Sequence, residues 1–119
     1  MREIIISIFL VLTFLCASAI GESVNIDDYN KAVRLKPNDA EVYHDRGLVY
    51  SYMREYEKAI KDFTEAIRLK PDHAAAYGNR GATYFTMGNT NLGCIDVKKA
   101  CELGKCKGLK LAQGKGLCR

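Results

Sequence analysis

The feature that most narrows what this chain can fold into is a period of 34 residues. Laid one under the other, residues 40–73 and 74–107 share Tyr43/Tyr77, Arg46/Arg80, Gly47/Gly81, Tyr50/Tyr84, Met53/Met87, Asp62/Asp96, Ala66/Ala100 and Leu69/Leu103. One period earlier, Asp28, Tyr29 and Ala32 stand where Asp62, Phe63 and Ala66 stand later. The run Arg34-Leu35-Lys36-Pro37 likewise returns as Arg68-Leu69-Lys70-Pro71. Within each copy the shared residues recur at spacings of three and four, which places them on one side of a helix. A unit this short cannot bury its own apolar side, so copies must stack on one another.

Punctuation divides each copy into two helices. Pro37 and Pro71 stop what precedes them, because proline disfavours helical geometry in the residue before it and cannot continue the ladder. Asn38 or Asp39, and later Asp72, then offer side-chain oxygens as caps. Helices are expected over about 22–36, 40–53, 57–70, 74–87 and 91–103, with a short closing helix over 105–113. Gly88-Asn89 should turn the chain, and Gly104 suits the position just past a helix end. Gly47 and Gly81 sit inside helices at a cost of about 1 kcal/mol against alanine, which makes sense if a neighbouring helix crosses close by. In the helix over 57–70, Ala59, Ile60, Phe63, Ala66 and Ile67 point inward, and Lys61 and Glu65 pair on the outer face.

The slots Tyr43, Gly47 and Tyr50, followed by Ala59, Phe63, Ala66 and the closing Pro71, resemble the tetratricopeptide (TPR) repeat. The resemblance implies an all-α solenoid of antiparallel helix pairs that binds peptides or proteins on its concave face. Here it amounts to about two full repeats, a preceding half repeat and a capping helix. The expected organisation is a leader over 1–19, a half repeat over 20–37, a repeat over 40–73, a degenerate repeat over 74–104, and a cap and tail over 105–119. The degenerate copy departs from the pattern: Gly93 stands at the place of Ala59, Val97 at that of Phe63, and no proline follows Leu103.

Residues 1–19 read as a secretory signal peptide, with Arg2, an apolar run from Ile4 to Leu15, and Ala17-Ser18-Ala19 as a cleavage site. The mature chain should then be periplasmic or secreted, with no membrane span. An uncleaved anchor and a lipoprotein acylated at Cys16 are the alternatives. Of five cysteines, removal of Cys16 leaves Cys94, Cys101, Cys106 and Cys118, an even set in an oxidising compartment. If the chain turns back after Leu103, nested pairing of Cys101 with Cys106 and Cys94 with Cys118 fits best among three connectivities. A four-cysteine zinc site is the rival, but the spacing lacks a C-x-x-C knuckle. Lys99 to Leu103 with Cys106 is also similar to the cysteine-rich Sel1-like relatives of the TPR, which join cysteines across helix turns.

By family position the resemblance puts Glu41, His44, Asp45, Leu48 and Tyr52, then Asn79, Ala82, Phe85 and Thr86, on the ligand-binding face. The recurring Arg46 and Arg80 are expected to pair with the recurring aspartates at the helix seam, their stems against tyrosines; independent solvated charges are the alternative. The formal charge of +4 sets no expectation of nucleic acid. The lysines from Lys98 onward read as a solvated face, or as a weak attraction to anionic lipid or cell-wall polymer. His44 and His73 belong to no recognisable catalytic motif, and no phosphate loop or dinucleotide fingerprint occurs. No metal or cofactor is expected. The resulting expectation is a non-catalytic adaptor of the cell envelope, with a protein or peptide partner. The alternatives are self-association through the uncovered first helix and, on the Sel1-like likeness alone, a cell-wall or β-lactam hydrolase.

Overall fold

The computed structural model describes residues 23–119, so the signal-peptide and Cys16 readings lie outside the described residues. The described chain is all-helical: α1 Ile26–Leu35, α2 Ala40–Tyr52, α3 Tyr56–Leu69, α4 Ala74–Thr86, α5 Thr90–Glu102 and α6 Lys107–Gly114. The pairs α2–α3 and α4–α5 form hairpins that stack through α3 on α4. Helix α1 covers the near side of α2, and α6 closes on α5. No helix among the described residues is long and apolar enough to cross a membrane.

Several helix ends have a local cause. Asp39 caps α2, its side chain accepting from the Glu41 amide at 3.0 Å. One period later it is not Asp72 but His73 that caps α4, Nδ1 accepting from the Ala76 N–H at 3.2 Å. His73 holds the register position of Asp39, so the imidazole takes over the task of a carboxylate. Past the ends of α2 and α4 the chain closes the same way. Arg54 and Gly88 both adopt positive φ (63° and 82°), and the amides of Glu55 and Asn89 return 2.8 Å to the carbonyls of Tyr50 and Tyr84. Gly104 ends α5 in the same motif with φ 99°.

The core is built from small residues and a few large ones. Ala59, Phe63 and Ala66 of α3 are fully buried, as is Ala76 of α4, while Ile60 and Ile67 are half-buried. A Cβ on Gly47 would stand 2.7 Å from the Phe63 ring, and one on Gly81 would stand 2.9 Å from Val97. Both glycines therefore mark the close helix crossings that the period implies. On the outer face Glu65 bonds Arg68 one turn on, at 2.6 Å, instead of the expected Lys61. The guanidinium offers two aligned donors where an ammonium offers a point charge.

Gly93 in the degenerate copy has a partner change that explains it. A Cβ there would lie 2.6 Å from the Phe85 ring, whereas the equivalent pair one period earlier is Ser51 and Ala59. The large ring of α4 occupies the volume vacated on α5. Beyond it, Val97, Ala112 and Cys118 form a second core with Phe85, Cys94 and Leu109. Sulfurs of Cys94 and Cys118, and those of Cys101 and Cys106, stand at disulfide-bonding distance, the first pair with Cα atoms 5.6 Å apart.

Candidate functional site

The residues expected on the concave face are distributed among different surroundings. Leu48 and Tyr52 are exposed, Tyr52 at 81%, and border a shallow hollow with Val24 and Tyr29 beside α1; Asp45 borders it too. Glu41 lies in a separate, open hollow at the α1–α2 turn, with Asp39 and Lys70. His44 presents itself to neither. It is 9% exposed, because its face of α2 turns into the hairpin seam, where its ring lies 5.8 Å from that of Phe63 and 4.9 Å from that of His73.

The second copy is different: Ala82, Phe85 and Thr86 converge on one groove of about 220 Å³ between α4 and α6. Its floor is Gly78 and Ala82, four residues apart on α4, so that side of the helix carries almost no bulk. Its far wall is Leu111 on α6, with Leu117 from the tail and Val97 beneath. A trough along Ala74, Ala75, Gly78 and Asn79 continues the groove past Lys105 and Lys107, and Lys115 stands on the opposite rim. Asn79 itself is half-buried, its amide nitrogen 2.9 Å from His44 Nε2.

Gly78, Gly108, Leu111 and the rim lysines were not among the expected residues. The Gly78/Ala82 pair on one helical face is the signal in the sequence that indicates a groove. Leu111 carries no such signal, since only the docking of α6 brings it opposite. The lysines that read as a solvated run thus include three that edge an apolar channel.

The seam charges are fixed. Arg46 and Arg80 each grip the aspartate sixteen residues on, with both donors at 2.8–2.9 Å, and Asp62 and Asp96 are buried. The carboxylate bonds raise the pKa of both guanidinium groups against the opposing effect of burial. Arg46 also sits over the rings of Tyr43 and Tyr50, at 5.9 and 5.7 Å, and Arg80 over Tyr77 at 5.6 Å. Asp28 is exposed and bonds no arginine among the described residues. What the groove offers chemically is apolar contact area with cations at its edge.

Comparison with known proteins agrees with this architecture. The family model described as "Tetratricopeptide repeat" matches residues 40–73, and another described as "TPR repeat" matches 26–53. Among solved structures, YrrB, described as a TPR protein with an unusual peptide-binding site, is 24% identical with a TM-score of 0.65, covering 67% of this chain and 41% of its own. The Arabidopsis OM64 TPR domain is 22% identical with a TM-score of 0.72, covering 76% and 75%. MamA is 28% identical with a TM-score of 0.68, covering 77% and 57%. The chain therefore spans about two fifths of the length of YrrB. No curated protein matches the chain. The family matches thus fall within residues 26–73, and the solved TPR structures share the stacked helical-hairpin fold.

Proposed function

We propose that this chain is an exported, non-catalytic interaction module of the cell envelope, and that the groove between α4 and α6 receives an apolar side chain from a peptide or protein partner. TPR repeats generally mediate protein–protein interaction, which supports the class of role. One observation carries the particular reading: Leu111 is 59% exposed and Leu117 39% exposed on the wall of a channel floored by Gly78 and Ala82. Open apolar walls of this kind are where binding anchors dock, and the surrounding lysines favour carboxylates at the rim. The partner segment is thus an apolar anchor flanked by acidic residues.

Export follows from the leader reading, with the leader removed near Ala19. It is supported by two cysteine pairs at bonding distance, as an oxidising compartment would favour. The pair across the turn from α5 to α6 also favours a Sel1-like cap. Free-thiol titration of the mature protein tests this part, with no reactive thiol expected.

The binding reading is tested with labelled peptides carrying one central Leu, Ile or Phe between acidic flanks. Saturable binding that is lost in Leu111→Asp and weakened by salt is the expected result; Leu111 is exposed, so the melting temperature should hardly move. Binding unchanged by Leu111→Asp would place the ligand elsewhere. A second reading, self-association, is favoured by α1, which contains no buried residue and exposes Leu35 at 70%. Light scattering across a concentration series distinguishes it.

A further inference from the structure

Two imidazoles from different repeats meet inside the molecule beside carboxylates. His44 lies on α2 and His73 begins α4; they are 9% and 5% exposed, and their rings are inclined at 39°. His44 Nδ1 and His73 Nε2 are both buried, and each has a carboxylate beside it: Asp45 Oδ1 lies 3.6 Å from the first. Imidazoles and carboxylates gathered at one buried place are the donor types a divalent cation takes. Glu41, one turn before His44 on the same helix, brings a carboxylate to the place, Oε1 lying 3.2 Å from His73 Nε2. One donor atom from each of the three residues falls within 4.8 Å of the others.

We propose that Glu41, His44 and His73 bind a zinc ion. Imidazole nitrogen and carboxylate oxygen are donors this ion takes, and three protein ligands with water in the fourth position form an ordinary coordination set. Donors around one zinc stand about 3.4 Å apart, so the trio closes by roughly 1 Å on loading, a movement that turning the exposed Glu41 and tilting the rings supplies. Asn79 stands behind His44 with its amide nitrogen 2.9 Å from Nε2. Loading needs this amide to flip, its oxygen accepting from Nε2–H, so that the Nδ1 lone pair is free for the metal. The open hollow bordered by Glu41, Asp39 and Lys70 gives the ion a path from solvent. The sequence carries no such site in any ligand motif, and the proposal departs from the expectation of no metal.

Loading has two local consequences. The Lys70 ammonium, 3.9 Å from Glu41 Oε1, gives up its ion pair. His73 Nδ1 now accepts the Ala76 N–H, which leaves the ring proton on Nε2; ligation through Nε2 moves that proton to Nδ1 and releases the Ala76 amide.

The test uses the mature protein, oxidised and then alkylated so that no thiol can bind metal, titrated with zinc chloride in a calorimeter. One zinc per chain is expected, with the Ala76 amide resonance shifting on loading. His73→Asn keeps a capping side chain and removes the ligand, and Glu41→Gln alters only an exposed group; each should weaken binding at least about 10-fold. Absence of binding in the unsubstituted protein, or binding that neither variant weakens, would overturn the site. Should His73→Asn fail to fold, the Glu41→Gln titration alone decides.

Discussion

Arg80 holds Asp96 with both arms of its guanidinium, Nε 2.8 Å from Oδ2 and a terminal nitrogen 2.9 Å from Oδ1, around a carboxylate only 3% exposed. The other terminal nitrogen reaches back 3.0 Å to Thr64 on α3. Arg46 repeats the arrangement with Asp62, reaching back 3.1 Å to Asn30 on α1. One side chain per repeat therefore ties its own hairpin together and fastens it to the helix before. The bidentate geometry is what distinguishes this from an exposed ion pair of little worth.

Arg80→Gln leaves Asp96 buried and unpaired, and a loss of about 3–5 kcal/mol is expected. Asp96→Asn should cost less than that. The double variant should lose clearly less than the sum, with a coupling above about 1 kcal/mol in urea unfolding. Additive losses would show that the pair does not act as a unit.

Gly93→Ala drives a methyl to 2.6 Å from the Phe85 ring. Overpacking of this kind costs about 1–3 kcal/mol, which outweighs the gain in helix propensity. Adding Phe85→Ser restores the combination found at Ser51 and Ala59, and thermal melts should show Gly93→Ala less harmful in that background.

Arg54 is the one non-glycine residue with positive φ among the described residues, at the position that Gly88 fills one period later. A left-handed conformation costs a side-chain-bearing residue about 1–2 kcal/mol, partly offset by the greater freedom glycine loses on folding. Arg54→Gly should raise stability by up to about 1 kcal/mol, read as a higher urea midpoint with the slope unchanged.

Burial, and next the neighbouring His73, hold the pKa of His44 below its ordinary 6.5, against weaker upward pulls from Asp45 and Glu41. On acidification the unfolded chain takes this proton before the folded chain does. The stability linked to His44 is therefore complete above about pH 6.5 and lost as pH falls below it. In the presence of a chelator, urea midpoints should decline from pH 7 to 5, and the decline should be shallower in His44→Gln.

Much of the hairpin architecture was legible because its signals are local. Pro37, Pro71, Gly104 and the spacing of Tyr43, Gly47 and Tyr50 each act within a few residues of where they stand, and the helices end within a few residues of the expected places. The arginine–aspartate seam was legible too, since both partners recur with the period. Other features depend on partners that no spacing announces. The cap on α4 falls to His73 because a ring nitrogen can accept as a carboxylate does. Gly93 gains its meaning from Phe85 on the facing helix. The groove wall comes from Leu111, which stands opposite Gly78 only because α6 folds back.

The amino-acid order by itself determined a stack of paired helices with buried alanines, close glycine crossings and a cysteine-rich end, since each follows from residues within one repeat. The tertiary structure alone decided which surfaces stay open and which side chains meet across repeats. The apolar channel beside the capping helix and the meeting of His44 with His73 both depend on the angle at which one hairpin lies on the next. That angle is a property of packed side-chain volumes summed over the whole seam, and a linear pattern does not encode it.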